Sequence, residues 1–212
     1  MALVIMALMT MAACENGAER VAVNDSPPVP ERAEDVQPLT EGQPAPVAVL
    51  RTADDDLVDL AEQYRQQPTM LIFYRGGWCP YCNVQLGHLM EAEQAIEEMG
   101  IAVLAISPDR PAVLRENPNE AGHGYRLLSD SDMALAKAFG VAFRVADETV
   151  EQYHGFGIDL EDASGQSHHL LPVPAIYLVD RDGMIRFAHW DADYRERLSP
   201  EALIEAAGRM SN

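Results

Sequence analysis

The run from Met70 to Gly100 constrains this chain more than any other stretch. Met70-Leu71-Ile72-Phe73-Tyr74 is apolar without alternation and is bounded by Pro68 and by Gly76-Gly77, as a central strand covered on both faces requires. Trp78 and the motif Cys79-Pro80-Tyr81-Cys82 follow at once. From there Val84, Leu86, Leu89, Met90, Ile96 and Met99 fall on one side of a helical wheel, Glu91, Glu93, Glu97 and Glu98 on the other, and Gly100 stops the helix. A strand delivering a CxxC to a helix N-terminus places both sulfurs where unpaired N–H groups and the helix dipole favour thiolate. In that geometry the first sulfur is the more exposed, so Cys79 is expected to attack and Cys82 to resolve.

The rest of the chain fits an α/β domain with a central mixed sheet flanked by helices. A short strand is expected over Val47 to Leu50 and a helix over Leu60 to Gln66. Ile101 to Ile106 supplies a second buried strand, Pro111 to Glu116 a helix, and with Met70 to Tyr74 they make a parallel βαβ unit. Tyr125 to Leu128 is a strand, Ser129-Asp130 caps a helix through Phe139, and Gly140 ends it. Val145 to Leu171 reads as a partly helical surface excursion. Strands at Ala175 to Val179 and Met184 to His189 and a helix from Pro200 to Arg209 complete the order.

Upstream, three segments differ in character. Met1 to Ala13 is uncharged and apolar, too short for a lasting membrane span, and ends in Met11-Ala12-Ala13-Cys14. This resembles a bacterial lipobox, which implies lipidation at Cys14 and an envelope protein facing the periplasm, with an outer-membrane destination. Residues 14–46 carry six prolines and an acidic excess, and are expected to form an unfolded tether between that anchor and a domain at 47–212. The net charge of −19, from 34 acidic against 15 basic residues, opposes nucleic-acid binding. Membrane attachment is expected only through Cys14.

With Cys14 assigned to the leader, the domain keeps one cysteine pair, which excludes a disulfide scaffold and a four-cysteine zinc site. No metal and no cofactor are assigned. Two thiolates plus an imidazole from His168-His169 would suit Cu(I) or Zn, which makes a metal-binding or copper-chaperone module the reading from a different functional class. Arg75 is expected either to stabilise a thiolate by its charge or to form a surface salt bridge.

Phe73-Tyr74-Arg75-Gly76-Gly77-Trp78-Cys79-Pro80-Tyr81-Cys82 resembles the signature of the peroxiredoxin-like branch of the alkyl hydroperoxide reductase/thiol-specific antioxidant family, within the thioredoxin-like superfamily. Leu128-Ser129-Asp130, Phe139-Gly140-Val141 and Pro174 to Asp180 agree with it. The resemblance implies a thioredoxin-like fold and an antioxidant oxidoreductase. It also places Cys82 on the peroxide-reacting position and Cys79 on the family's threonine. Arg75 stands where the family has proline, and Pro174 where it has arginine. By resemblance to thioredoxins, Val173-Pro174 is expected to be a cis bond beside Cys79, with Trp78, Pro80 and Tyr81 helping to wall a substrate groove. The leading expectation is therefore a thiol-disulfide oxidoreductase cycling Cys79 and Cys82 against protein or small-molecule disulfides with a thiol electron donor. A thiol peroxidase acting on peroxides through Cys82 or Cys79 is the alternative.

Overall fold

The computed structural model describes residues 28–116 and 126–210. Its centre is a seven-stranded mixed sheet in the order β2-β1-β5-β4-β3-β8-β9. The strands are β1 (Val49–Thr52), β2 (Leu57–Asp59), β3 (Thr69–Phe73), β4 (Ala102–Ser107), β5 (Arg126–Ser129), β8 (Ala175–Val179) and β9 (Ile185–Trp190). β3, β4 and β5 run parallel, while β8 pairs antiparallel with β3 and with β9. A separate ribbon pairs β6 (Ala142–Arg144) with β7 (Leu170–Pro172).

The unbroken apolar run of β3 is explained by its position. Met70, Ile72 and Tyr74 face one core, shared with Leu86 and Ile96 of α2 (Pro80–Glu98) and with Leu203 and Ala206 of α7 (Pro200–Gly208). Leu71 and Phe73 face the other, with Leu60 and Tyr64 of α1 (Leu60–Gln66) and Leu135 and Ala136 of α4 (Ala134–Ala138). A period of two thus survives, but each face meets a helix layer instead of water. Among the side chains of α2 that are described, Val84 and Glu93 depart from the expected helical stripe: Val84 is exposed and Glu93 is buried.

Several local expectations hold, although the helix expected to start at Ser129-Asp130 begins only at Ala134, with Met133 as its N-cap in left-handed backbone. α1 spans Leu60–Gln66, and the Asp59 carboxylate accepts from Ala61 N at 2.8 Å to cap it. Asp130 serves α4 from a distance in sequence, accepting from Leu135 N and Ala136 N at 3.0 and 2.8 Å. Gly140, at φ +70°, ends α4. α3 covers Pro111–Arg115, and the excursion holds α5 (Asp147–Gly155) and α6 (Leu160–Ser164). Tyr125 and His123 lie outside the described residues, as do the leader and Cys14.

The tether expected over 14–46 requires correction from Pro28 onward. Pro30 O accepts from Arg144 N, Phe139 O from Leu39 N, Ile185 O from Gly42 N and Gly183 O from Ala45 N, at 2.8 to 3.0 Å. Proline-rich backbone is already extended, so laying it across loop edges costs little entropy, and its few N–H groups find carbonyls. The strap passes closely over Gly140, where an added Cβ would lie 2.2 Å from Gln37 O. Gly140→Ala should therefore lift the strap as well as lose about 1–2 kcal/mol to its left-handed backbone. Limited proteolysis should cut that variant within 28–46 while sparing the parent protein; equal resistance would contradict the packing.

Candidate active site

The loop Tyr74 to Cys79 is held from three sides before α2 begins. Gly77 N donates to Asp109 Oδ2 at 2.7 Å, Asn83 Nδ2 donates to Gly77 O at 2.9 Å, and Cys79 N donates to Gly76 O at 3.1 Å. Cys79 is the N-cap of α2, in extended backbone, and Pro80 takes the first helical position, where its missing N–H costs nothing. Cys79 O accepts from Cys82 N and Asn83 N at 3.0 and 3.1 Å. Both sulfurs therefore sit in the first turn.

The expected exposure of Cys79 is corrected: its residue is 2% exposed and Cys82 is 0%. The loop that delivers them is folded under Trp78, which packs against Tyr153 of α5 with ring centroids 5.7 Å apart. The electrostatic ranking nonetheless favours Cys79. Its pKa is lowered chiefly by the hydrogen bond from the Cys82 thiol, against burial, and further by the Cys82 backbone N–H and the charges of Arg75 and Arg197. Cys82 is raised, first by that same hydrogen bond and then by burial and the neighbouring thiolate. One proton is thus kept on Cys82 and the charge on Cys79.

Arg75 is neither a surface residue nor part of a salt bridge among the described residues. It is 5% exposed, with its guanidinium carbon 4.3 Å from the ring centroid of Tyr194, 5.3 Å from Trp78 and 5.6 Å from Tyr153. Nη2 donates to the Tyr153 hydroxyl. Three aromatic faces hold the charge in place of a carboxylate. Tyr194 is in turn edge-on to Tyr81 at 5.5 Å, and Tyr81 is half exposed at the surface.

Other expectations fare differently. The Val173–Pro174 bond is trans, since the described residues contain no cis peptide. Val173 N donates to Val141 O and Pro174 O accepts from Asp191 N, so the chain runs extended from β7 into β8 and leaves no turn for a cis bond. His168 and His169 do not join the cysteines. His168 Nε2 meets Ser131 O and its Nδ1 accepts from Leu170 N, both at 2.9 Å, which leaves no lone pair for a metal. His169 Nε2 meets Glu161 at 2.9 Å. Among the described residues no three His, Cys, Asp or Glu side chains are grouped to hold a metal ion.

Arg197 had no signal in the sequence, being 115 residues from Cys82, yet its Nη2 lies 3.9 Å from Cys82 Sγ. It brings a guanidinium to the cysteine pair. Asp109, by contrast, stands two residues after β4 and could have been noticed as a buried-strand terminus. Burial raises its pKa to about 6, opposed by the bonds from Gly77 N and Ser107. Burial likewise raises Asp130 to about 7.

For an acid, a folded pKa above the unfolded one means that ionisation opposes folding. Stability from these two groups is complete below about 3.8 and is lost as pH rises through about 6 and about 7. Thermal unfolding should thus occur at lower temperature at pH 8 than at pH 5. Asp109→Asn, which keeps an acceptor for Gly77 N, should recover roughly 1–2 kcal/mol of that difference, because about half of the loss from Asp109 already lies below pH 5. Parallel pH–stability curves for variant and parent would contradict the assignment.

Comparison with known proteins agrees with this frame. Residues 41–188 match the AhpC/TSA family. The chain is 29% identical over 137 residues to peroxiredoxin Bcp of Escherichia coli K12, covering 64% of this chain and 86% of that protein. It is 25% identical over 183 residues to the chloroplastic peroxiredoxin Q of Suaeda salsa, covering 85% and 72%. Among solved structures, peroxidoxin BcpB from Mycobacterium tuberculosis superposes with TM-score 0.61 at 17% identity, over 81% of this chain and 96% of that one. Peroxiredoxin Q of Xanthomonas campestris gives 0.60 at 16%, over 78% and 92%. A sheet of this order, a thiol pair at the first turn of α2 and a match across 41–188 lead to one conclusion: the chain belongs to the AhpC/TSA family and is an oxidoreductase of thiol chemistry.

Proposed function

We propose that the chain is a thiol peroxidase, the reading that the peroxiredoxin relatives support better than an envelope disulfide oxidoreductase. The observation that carries it is a charge-biased thiol pair that is almost closed to solvent, at 2% and 0% exposure. A peroxide can reach such a sulfur through a small opening, whereas a protein disulfide must bring two chain segments to it. The Cys79 thiolate attacks one peroxide oxygen, the O–O bond breaks, and the departing alkoxide or hydroxide takes a proton. Cys79 is left as a sulfenic acid. The Cys82 thiol then attacks that sulfur, water leaves, and the Cys79–Cys82 disulfide closes. An external thiol donor returns two electrons and two protons. Arg75 and Arg197 hold the thiolate and face the charge that develops on the leaving oxygen. The test is consumption of hydrogen peroxide and of an organic hydroperoxide by the reduced full chain, with thiols counted: two thiols lost per peroxide support the reading, and no peroxide-dependent thiol loss refutes it.

The lipobox-like Met11 to Cys14 supports a further part of the proposal, that Cys14 is acylated and anchors the domain at the envelope facing the periplasm. None of the helices among the described residues is long and apolar enough to cross a membrane. In a bacterial host the full chain should fractionate with membranes and Cys14→Ser should release it or stop its maturation. Unchanged partitioning of that variant would end the lipoprotein reading.

A further inference from the structure

Beside Arg75 lies a cavity of about 380 Å³, lined by Phe143, Val173, Tyr153 and Tyr194 and by Thr149 of α5. Hydrogen peroxide needs no such space, since a water-sized molecule takes roughly 30 Å³. The volume falls instead in the range of sites for small organic molecules. Its polar equipment is uneven. Besides Arg75, the charged side chains that line it are Arg32, Arg144, Glu31 and Glu34; Arg32 is paired with Glu34 and Arg144 with Asp147. Arg75 has no carboxylate partner among the described residues, is 95% buried by its 5% exposure, and keeps a buried Nε–H with no acceptor. A buried guanidinium N–H left unmatched is costly, and a carboxylate presents the planar acceptor pair that fits it.

We propose that this cavity is a carboxylate-recognition subsite, in which Arg75 binds the acid group of a small organic molecule while Phe143, Val173 and the tyrosine rings cover its apolar body. The inference rests on the peroxidase reading for its place in the reaction. Two reactants could bring that acid group, a hydroperoxide that carries a carboxylate or a thiol donor that does. Arg75 connects the subsite to the chemistry directly, because its charge acts on Cys79 and its backbone N–H faces the Cys82 sulfur. A bound carboxylate would neutralise part of that charge, so Cys79 should titrate at higher pH while the subsite is filled.

Calorimetric titration of the reduced full chain with 3-phenylpropionate and with its neutral amide tests the site without needing turnover. The acid should bind about tenfold or more tightly than the amide. Arg75→Gln should erase that preference, Arg75→Lys should keep part of it, and Thr149→Phe, which narrows the cavity without touching Arg75, should weaken the acid. Thiolate absorbance of Cys79 should shift to higher pH with the acid and not with the amide. Equal binding of acid and amide, or binding of neither, overturns the proposal even where Arg75→Gln fails to fold. KM values then identify the source: a carboxylated against a neutral organic hydroperoxide, and a carboxylated against a neutral thiol. The arm in which Arg75→Gln raises KM for the acid alone names the reactant, and insensitivity in both arms overturns the assignment to this reaction. A calorimetric preference in a protein that consumes no peroxide would uphold the site and refute the peroxidase reading instead.

Discussion

Serine at position 79 should lower hydroperoxide turnover by about a thousandfold or more, because it removes the sulfur of the pair whose surroundings favour a thiolate. Serine at position 82 should behave differently. The serine hydroxyl can donate to Cys79 in place of the thiol, and Arg75 and Arg197 remain, so a single reaction with peroxide should still occur. With nothing to resolve it, the sulfenic acid should accumulate and catalytic turnover should stop after one event. The two variants therefore separate the roles: trapping of a sulfenic acid with dimedone should label Cys79 in Cys82→Ser and little in Cys79→Ser. The resemblance of Phe73-Tyr74 to the family's motif implies Cys82 as the peroxide-reacting position, so fast labelling of Cys82 in Cys79→Ser would reverse the assignment and make Cys79 the resolving thiol.

Gly76→Ala should be nearly as damaging without touching a sulfur. Gly76 has φ +144°, and a Cβ there would lie 2.4 Å from Trp78 Nε1 and 2.9 Å from Asp109 Oδ1. The indole is wedged against Tyr153 and Arg75, and Asp109 is fixed by its bond from Gly77, so neither can yield cheaply. The backbone must move, and the bond from Cys79 N to Gly76 O moves with it. About 1–3 kcal/mol of backbone strain is expected. A displacement of the thiolate by about 1 Å would cost on the order of a hundredfold in rate. Steady-state turnover and the emission of Trp78 check this together; a variant with unchanged rate and spectrum would show that the loop tolerates a side chain there.

What could be seen from sequence follows the range over which each signal acts. β3, α1, the CxxC at the start of α2 and the Gly140 stop are all written in neighbouring residues, and all occur. The strap from Pro28 to Pro46 was hidden because proline-rich acidic composition describes a coil that lacks its own core, not one that borrows another's edge. The burial of Cys79 depends on Trp78 and on α5, an element whose polar sequence gave no hint that Tyr153 turns inward onto Arg75. Arg197 reaches Cys82 only through the loop before α7. The trans bond at Pro174 reflects β7, a strand that local pattern did not reveal before β8. The pair itself was legible; the groups that tune it were not.

The central claim, that this thiol pair is built to reduce peroxides, is tested most directly by single-turnover competition. Reduced full-length protein is mixed with one equivalent of an organic hydroperoxide or of a model disulfide, and free thiols are quenched and counted over time, with peptide mapping of the product. The peroxide should react roughly a hundredfold or more faster than with the unfolded chain, through the preorganised charges of Arg75 and Arg197, and should yield the Cys79–Cys82 disulfide. A peroxide rate equal to that of the unfolded chain, alongside rapid oxidation by the model disulfide, would contradict the account and return the pair to thiol-disulfide exchange.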